Sequence, residues 1–278
     1  MTVVVRTVEA LRSWRAALPA DERVAFVPTM GFLHEGHLSL LREARRRGGH
    51  VVLSIFVNPT QFGPGEDYDR YPRDEDGDLA KARDCGVALA FCPLAPEQLY
   101  PSRDTWVNVE QLDRHLCGRS RPGHFRGVCT VVCKLLALVQ PHVTLLGEKD
   151  FQQLAIVRRM HEDLFLPGEI VGMPIVREAD GLALSSRNAY LDATTRAQAL
   201  AIPRLLDRVA AAFAAGERDV ATLCAGAEAA LAPGRLDYLE IVDERTLTPL
   251  TRIEGPARAA IAAFFGRVRL IDNRMLLP

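Results

Sequence analysis

The stretch VAFVPTMGFLHEGHLSLLREA, residues 24–44, decides the fold. Its opening VAFVP is apolar at every position, which marks a strand covered on both faces. Pro28 and Gly31 end the run, and an amphipathic pattern then predicts a helix from about His37 to Arg47. Strand, glycine turn and helix form the repeating unit of an open parallel sheet.

The same alternation continues outward. VVLSIFVN (51–58), VALAFCP (87–93), VTLLG (143–147) and EIVGMPIV (169–176) read as further buried strands, with helices expected over about 74–84, 126–139 and 151–163. Residues 1–175 are therefore expected to form a doubly wound, Rossmann-like α/β domain. After residue 176 the pattern changes. Alanine-rich helices over about 192–214 and 219–231 precede LDYLEIVD (236–243) and RAAIAAFFGRVRLIDNRML (258–276), so 176–278 is expected to be a smaller α+β domain, placed to act as a lid.

Composition narrows the class. Of 278 residues, 48% are hydrophobic and 25% charged, the balance of an ordinary globular protein rather than a disordered or fibrous one. No apolar run reaches the ~20 residues a membrane span needs, and MTVVVRTVEALRSW lacks the features of a secretion signal. A cytoplasmic location is expected. The six cysteines sit in apolar patterns and read as reduced core thiols; Cys129 and Cys133 share a helix face, but no second pair at zinc-site spacing accompanies them. A net charge of −1 argues against a nucleic-acid partner. The one basic run, Arg42 with Arg45, Arg46 and Arg47, suits a solvated helix end.

In a parallel sheet, ligands bind beyond the carboxyl ends of the strands, where helix N-termini gather. Those ends here carry PTMGFLHEGH, NPTQFG, GEKDFQQ and READGLALSSRN. His34 and His37 flank Gly36 at a strand-to-helix turn, where backbone N–H groups and the helix dipole favour phosphate. HEGH is not the zinc-protease HExxH, because its histidines are three apart. The alternative is a helix cap with surface histidines. In GEKD, Lys149 is a compact cation beside Asp150, and in LSSRN two hydroxyls precede the fork of Arg187, a combination suited to a triphosphate. A helix cap at Ser185 or Ser186 is the competing reading. Gln61 and Gln153 offer neutral amides for a small hydroxylated acid, and surface glutamines remain the alternative.

PTMGFLHEGHLSLL, SIFVNPTQFGPGEDYDRYPR, RPGHFRGVCTVVCKLLALVQPHVTLLGEKDFQQL and READGLALSSRNAYL together resemble the pantoate–beta-alanine ligase (pantothenate synthetase) family over nearly the whole chain. The family belongs with nucleotidyltransferases that carry a HIGH-type turn, here HEGH, and a KMSKS-type loop, here LSSRN. The resemblance implies that ATP and (R)-pantoate give pantoyl adenylate and pyrophosphate, and that beta-alanine then displaces AMP to give pantothenate. It implies an ATP site lined by Met30, Gly31, Phe32, Leu33, His34, Glu35, Gly36 and His37, with both histidines on the phosphates and His37 as proton donor. Gly147, Glu148, Lys149, Asp150 and Val176 would hold the adenosine, Lys149 would also reach the phosphates, and Leu184, Ser185, Ser186 and Arg187 would close over them. Gln61 and Gln153 would bind pantoate, Gln61 also lying near beta-alanine, and Asn58 would shape the acid pocket. Mg²⁺ and a homodimer are implied as well. A related adenylyltransferase activating a different hydroxy acid is the alternative.

Two departures stand out. Leu184 replaces the cations of a KMSKS loop, so Lys149 and Arg187 must supply the charge. Gly77 stands where relatives often carry an acidic residue beside Asp78, which puts metal duties of that pair in question. The reaction itself suits these residues. A carboxylate nucleophile is already ionised and needs no base, so positioning and neutralisation of phosphate charge by Lys149, the histidines, helix N–H groups and Mg²⁺ carry the first step.

Overall fold

The computed structural model describes residues 1–277. In chain order the strands are β1 (Val3–Val5), β2 (Val24–Thr29), β3 (His50–Ile55), β4 (Leu89–Phe91), β5 (Val143–Gly147), β6 (Glu169–Met173), β7 (Arg235–Asp243), β8 (Ala257–Phe265) and β9 (Val268–Leu276). The helices are α1 (Val8–Ala16), α2 (Glu35–Arg47), α3 (Glu75–Asp84), α4 (Leu116–Ser120), α5 (His124–Val139), α6 (Phe151–Asp163), α7 (Ala193–Ala199), α8 (Ala201–Ala214), α9 (Val220–Cys224) and α10 (Ala227–Leu231). The chain forms two compact units. One comprises Met1–Val109, Pro122–Glu148 and Ile156–Pro174; the other comprises Glu110–Arg121, Lys149–Ala155 and the described chain from Ile175 onward.

The first unit holds a parallel sheet of order β1-β4-β3-β2-β5-β6. Val24, Ala25, Phe26 and Val27 are all buried because the sheet is covered on both faces. Leu40, Leu41 and Ala44 of α2 pack on Ala25, Val27, Leu53 and Leu145, while α5 lies against β2 and against α1. The strand order reverses between β2 and β5. That switch point is where an open α/β sheet leaves a crevice at its carboxyl edge, and the HEGH turn follows β2 directly.

In the second unit β7, β8 and β9 form an antiparallel sheet. Leu205, Leu206 and Val209 of α8 pack with Ile241, Ile261 and Ala263. The two units thus have the fold class expected from sequence, a Rossmann-like parallel sheet and a smaller α+β body.

Several boundaries differ for physical reasons. α2 begins at Glu35 rather than His37, because His34 is extended (φ −125°, ψ 175°) and its carbonyl already accepts from the N–H of His37 and Leu38. The strand expected to reach Asn58 ends at Ile55, and β6 stops at Met173, just before Pro174, whose ring provides no ladder donor. The helix expected over 192–214 is broken at Leu200, since Pro203 has no N–H to give the carbonyl of Ala199. The helix expected over 219–231 is interrupted at Gly226, which is left-handed. β1, α1 and α4 have no counterpart among the elements expected from sequence.

Candidate active site

The turn after β2 is built from the inside out. Thr29 donates its hydroxyl to the Ser54 carbonyl (2.8 Å) and accepts from the Gly31 N–H (3.2 Å), which pins the end of the strand to β3. Gly31 (φ 85°) and Phe32 (φ 52°) are then both left-handed. A Cβ on Gly31 would meet Asp78 Oδ2 and Ile55 Cγ2, each at 2.9 Å, so glycine is required by both space and backbone. For Phe32 the left-handed conformation costs about 1–2 kcal/mol. It is held there by Asp78, whose oxygens accept from the N–H of Phe32 (2.7 Å) and Leu33 (2.6 Å). Burial pushes the Asp78 carboxyl above its usual range, opposed by those two N–H groups and by Lys81.

His34 and His37 come together at the head of α2, ring centroids 4.1 Å apart. The Nδ1 of His37 accepts from the backbone N–H of His34 (3.3 Å), so the neutral ring carries its proton on Nε2. That proton is a donor held at a helix N-terminus, where the dipole and the first-turn N–H groups favour an anion.

Beside this turn stands a polar network in a buried setting. Asn58 donates to Gln61 Oε1 (3.0 Å) and to the Gly127 carbonyl (3.1 Å). Its own Oδ1 accepts from the hydroxyls of Thr60 and Tyr100, each at 2.9 Å. Gln61 Nε2 reaches Met30 Sδ at 3.2 Å, linking the NPTQ segment to the HEGH turn. The Gln61 carbonyl lies 2.8 Å from His124 Nδ1 at the start of α5. Gly127 allows that approach; a Cβ there would stand 2.3 Å from the Thr60 carbonyl oxygen.

In the second unit β9 organises the remaining candidates. The carbonyl of Lys149 accepts from Asn273 Nδ2 (3.1 Å), and Arg258 donates to Asn273 Oδ1 (2.9 Å). The Lys149 ammonium lies 3.6 Å from Asp150, with 19% of its side chain exposed. Val176 and Leu184 are paired, the Leu184 N–H donating to the Val176 carbonyl at 3.0 Å. Arg177 grips Asp272 of β9 through two bonds of 2.7 and 2.9 Å. Of the two candidate caps, Ser185 is the one observed; its hydroxyl accepts from the Arg187 N–H (3.3 Å), while Ser186 is buried. Gln153 is half-buried. Its neighbour Gln152 is fully engaged with the backbone of Leu112, His115 and Cys117.

Residues 3–275 match the family model described as pantoate-beta-alanine ligase. The chain belongs to the pantoate–beta-alanine ligase family. It is 52% identical over 279 residues to the pantothenate synthetase of Myxococcus xanthus, covering 98% of this chain and 96% of the relative. To that of Anaeromyxobacter dehalogenans it is 56% identical over 270 residues, covering 94% and 93%. Among solved structures it is similar to pantothenate synthetase from Thermus thermophilus, with a TM-score of 0.93, 49% identity, and 99% and 100% of the two chains covered. A second, the pantoate-beta-alanine ligase of Francisella tularensis complexed with beta-gamma ATP and beta-alanine, matches with a TM-score of 0.85 and 32% identity over 99% and 98% of the chains. This chain is thus an ATP-dependent ligase that condenses pantoate with beta-alanine.

Tyr100 and Asn273, which bond candidate site residues, carry no motif in the sequence. Tyr100 orients Asn58 from 42 positions away, and Lys134 lies 4.4 Å from the centre of the Tyr100 ring. Asn273 tethers the Lys149 backbone across 124 positions. Asp78 is legible in the sequence only as the acid left beside Gly77, and Gly77 donates its N–H to the Asp74 cap (3.1 Å).

Proposed function

We propose that this ligase works through a pantoyl adenylate. What supports the reading is the contact of the Gln61 amide with Met30, four residues ahead of the paired imidazoles at the start of α2. Gln61 and Gln153 hold (R)-pantoate, with Asn58 fixing the Gln61 amide. The carboxylate attacks the α-phosphorus of ATP; an O–P bond forms and the P–O bond to pyrophosphate breaks. His37, through Nε2–H, and His34 donate to phosphate oxygens as charge builds, and Lys149 and Arg187 neutralise the departing pyrophosphate. Gly147 to Asp150 and Val176 hold the adenosine, and Leu184 to Arg187 enclose the triphosphate. Because Asp78 occupies the N–H groups of Phe32 and Leu33, these two residues meet the nucleotide through other atoms. In the second step the neutral amine of beta-alanine, near Gln61, attacks the acyl carbon, AMP leaves with the electron pair of the broken C–O bond, and the nitrogen gives up one proton to solvent. Placing the acid beside ATP is worth up to about 7–11 kcal/mol.

Magnesium is expected to arrive on the ATP phosphates, where it neutralises charge. Among the described residues no three His, Cys, Asp or Glu side chains converge as metal ligands, and both Asp78 oxygens are engaged by backbone N–H. The residues do not form a protein cage for the ion, and no step above passes through one. Six cysteines, none joined in a disulfide among the described residues, support a reducing, cytoplasmic setting, and among the described residues no helix is long and apolar enough to cross a membrane. Assembly as a homodimer rests on the family resemblance alone.

The test is isotope exchange of pyrophosphate into ATP with (R)-pantoate and with a panel of other hydroxy acids. Exchange with pantoate and without beta-alanine is the expected result. Exchange confined to another acid would transfer the assignment to that substrate.

A further inference from the structure

The turn between β2 and α2 does not hold its shape by local bonds alone. Gly31 and Phe32 are consecutive left-handed residues, a conformation an L side chain rarely adopts. The restraint comes from α3, more than forty positions away. Asp78, 1% exposed, places one oxygen on each of two successive N–H groups, at 2.7 Å from Phe32 and 2.6 Å from Leu33. One turn further along α3, Lys81 Nζ donates to the Leu33 carbonyl at 2.8 Å. Two side chains on one helix face thus close on three backbone atoms, and the very next residue is His34, whose N–H orients His37.

We propose that Asp78, assisted by Lys81, is a positioning residue for adenylate formation, clasping the Gly31–Leu33 turn so that His34 and His37 present their imidazoles to the ATP phosphates. It touches neither substrate; it acts through the turn. The inference rests on the reading of that turn as the phosphate site. The chemistry requires a carboxylate rather than an amide. Each N–H needs an acceptor, and Asp78→Asn would set an NH2 group against one of them, two donors face to face at an unchanged volume.

The experiment uses the full-length protein. Asp78→Asn is expected to lower the rate of pantoate-dependent pyrophosphate exchange about 10- to 100-fold, the effect of losing a charge-assisted buried hydrogen bond and leaving its donor unpaired. The KM for ATP should rise, the KM for pantoate should stay within about twofold, and exchange of the Phe32 and Leu33 amide protons, read by NMR, should accelerate. A merely structural role would not separate the two KM values. Lys81→Met, which removes only the bond to the Leu33 carbonyl, should move ATP kinetics in the same direction by about 3- to 10-fold. It decides the matter if Asp78→Asn does not fold. A folded Asp78→Asn protein with parental ATP kinetics, or one in which both KM values rise alike, overturns the proposal. If the parent itself shows no exchange with pantoate, the phosphate reading fails instead. Unchanged amide exchange at Phe32 and Leu33 would then sink the clasp independently.

Discussion

Replacing His37 by alanine is expected to slow adenylate formation by about 10² or more, the loss associated with removing one donor aimed at developing charge. The expectation follows from its tautomer. His37 Nδ1 is taken by the His34 N–H, so the donor of the neutral ring is Nε2–H, and the residue stands at the head of a thirteen-residue helix. Alanine removes that donor while keeping helix propensity high. Folding should therefore change little, the lost His34 contact being worth about 1 kcal/mol. Single-turnover formation of pantoyl adenylate separates this effect from binding. A parental rate would leave His37 with a capping role only.

Lys149→Met is expected to be as damaging, lowering adenylation about 10²- to 10³-fold, because LSSRN has no lysine and would leave Arg187 alone to share the phosphate charge with Lys149. The Lys149 carbonyl is fixed by Asn273 and the ammonium has Asp150 as a neighbour at 3.6 Å, so the backbone stays in place when the charge is removed. Lys149→Arg should restore little, since a planar fork does not reproduce a compact charge on a flexible stem. Rapid-quench measurement of AMP formation checks both variants. Retention of the parental rate by the methionine variant would assign the phosphate charge to other groups.

What sequence made legible was local. VTLLG and the helix after it were read to the residue, because a short apolar run between Pro141 and the turn at Gly147 has few alternatives. The strand-turn-helix at 24–47 was legible for the same reason, as was the cap at the LSSRN turn, left open between two serines. The three-residue β1 was not, since Val3–Val5 gains its definition only from pairing with Leu89 to Phe91. Nor were the groups that hold the site in shape. Asp78 acts on Phe32 across 46 positions, and Tyr100 on Asn58 across 42, distances over which no periodicity carries information. Motif and resemblance named the residues proposed for the chemistry; the tertiary fold supplied the groups that bond to them.

The most direct measurement is a crystal structure of the protein with (R)-pantoate and a non-hydrolysable ATP analogue. The phosphates are expected at the N-terminus of α2, within hydrogen-bond reach of His34 and His37 Nε2, with Lys149 on the same chain of phosphates and the pantoate carboxylate facing the α-phosphorus from Gln61. A nucleotide seated elsewhere, with both imidazoles clear of every phosphate oxygen, would contradict it.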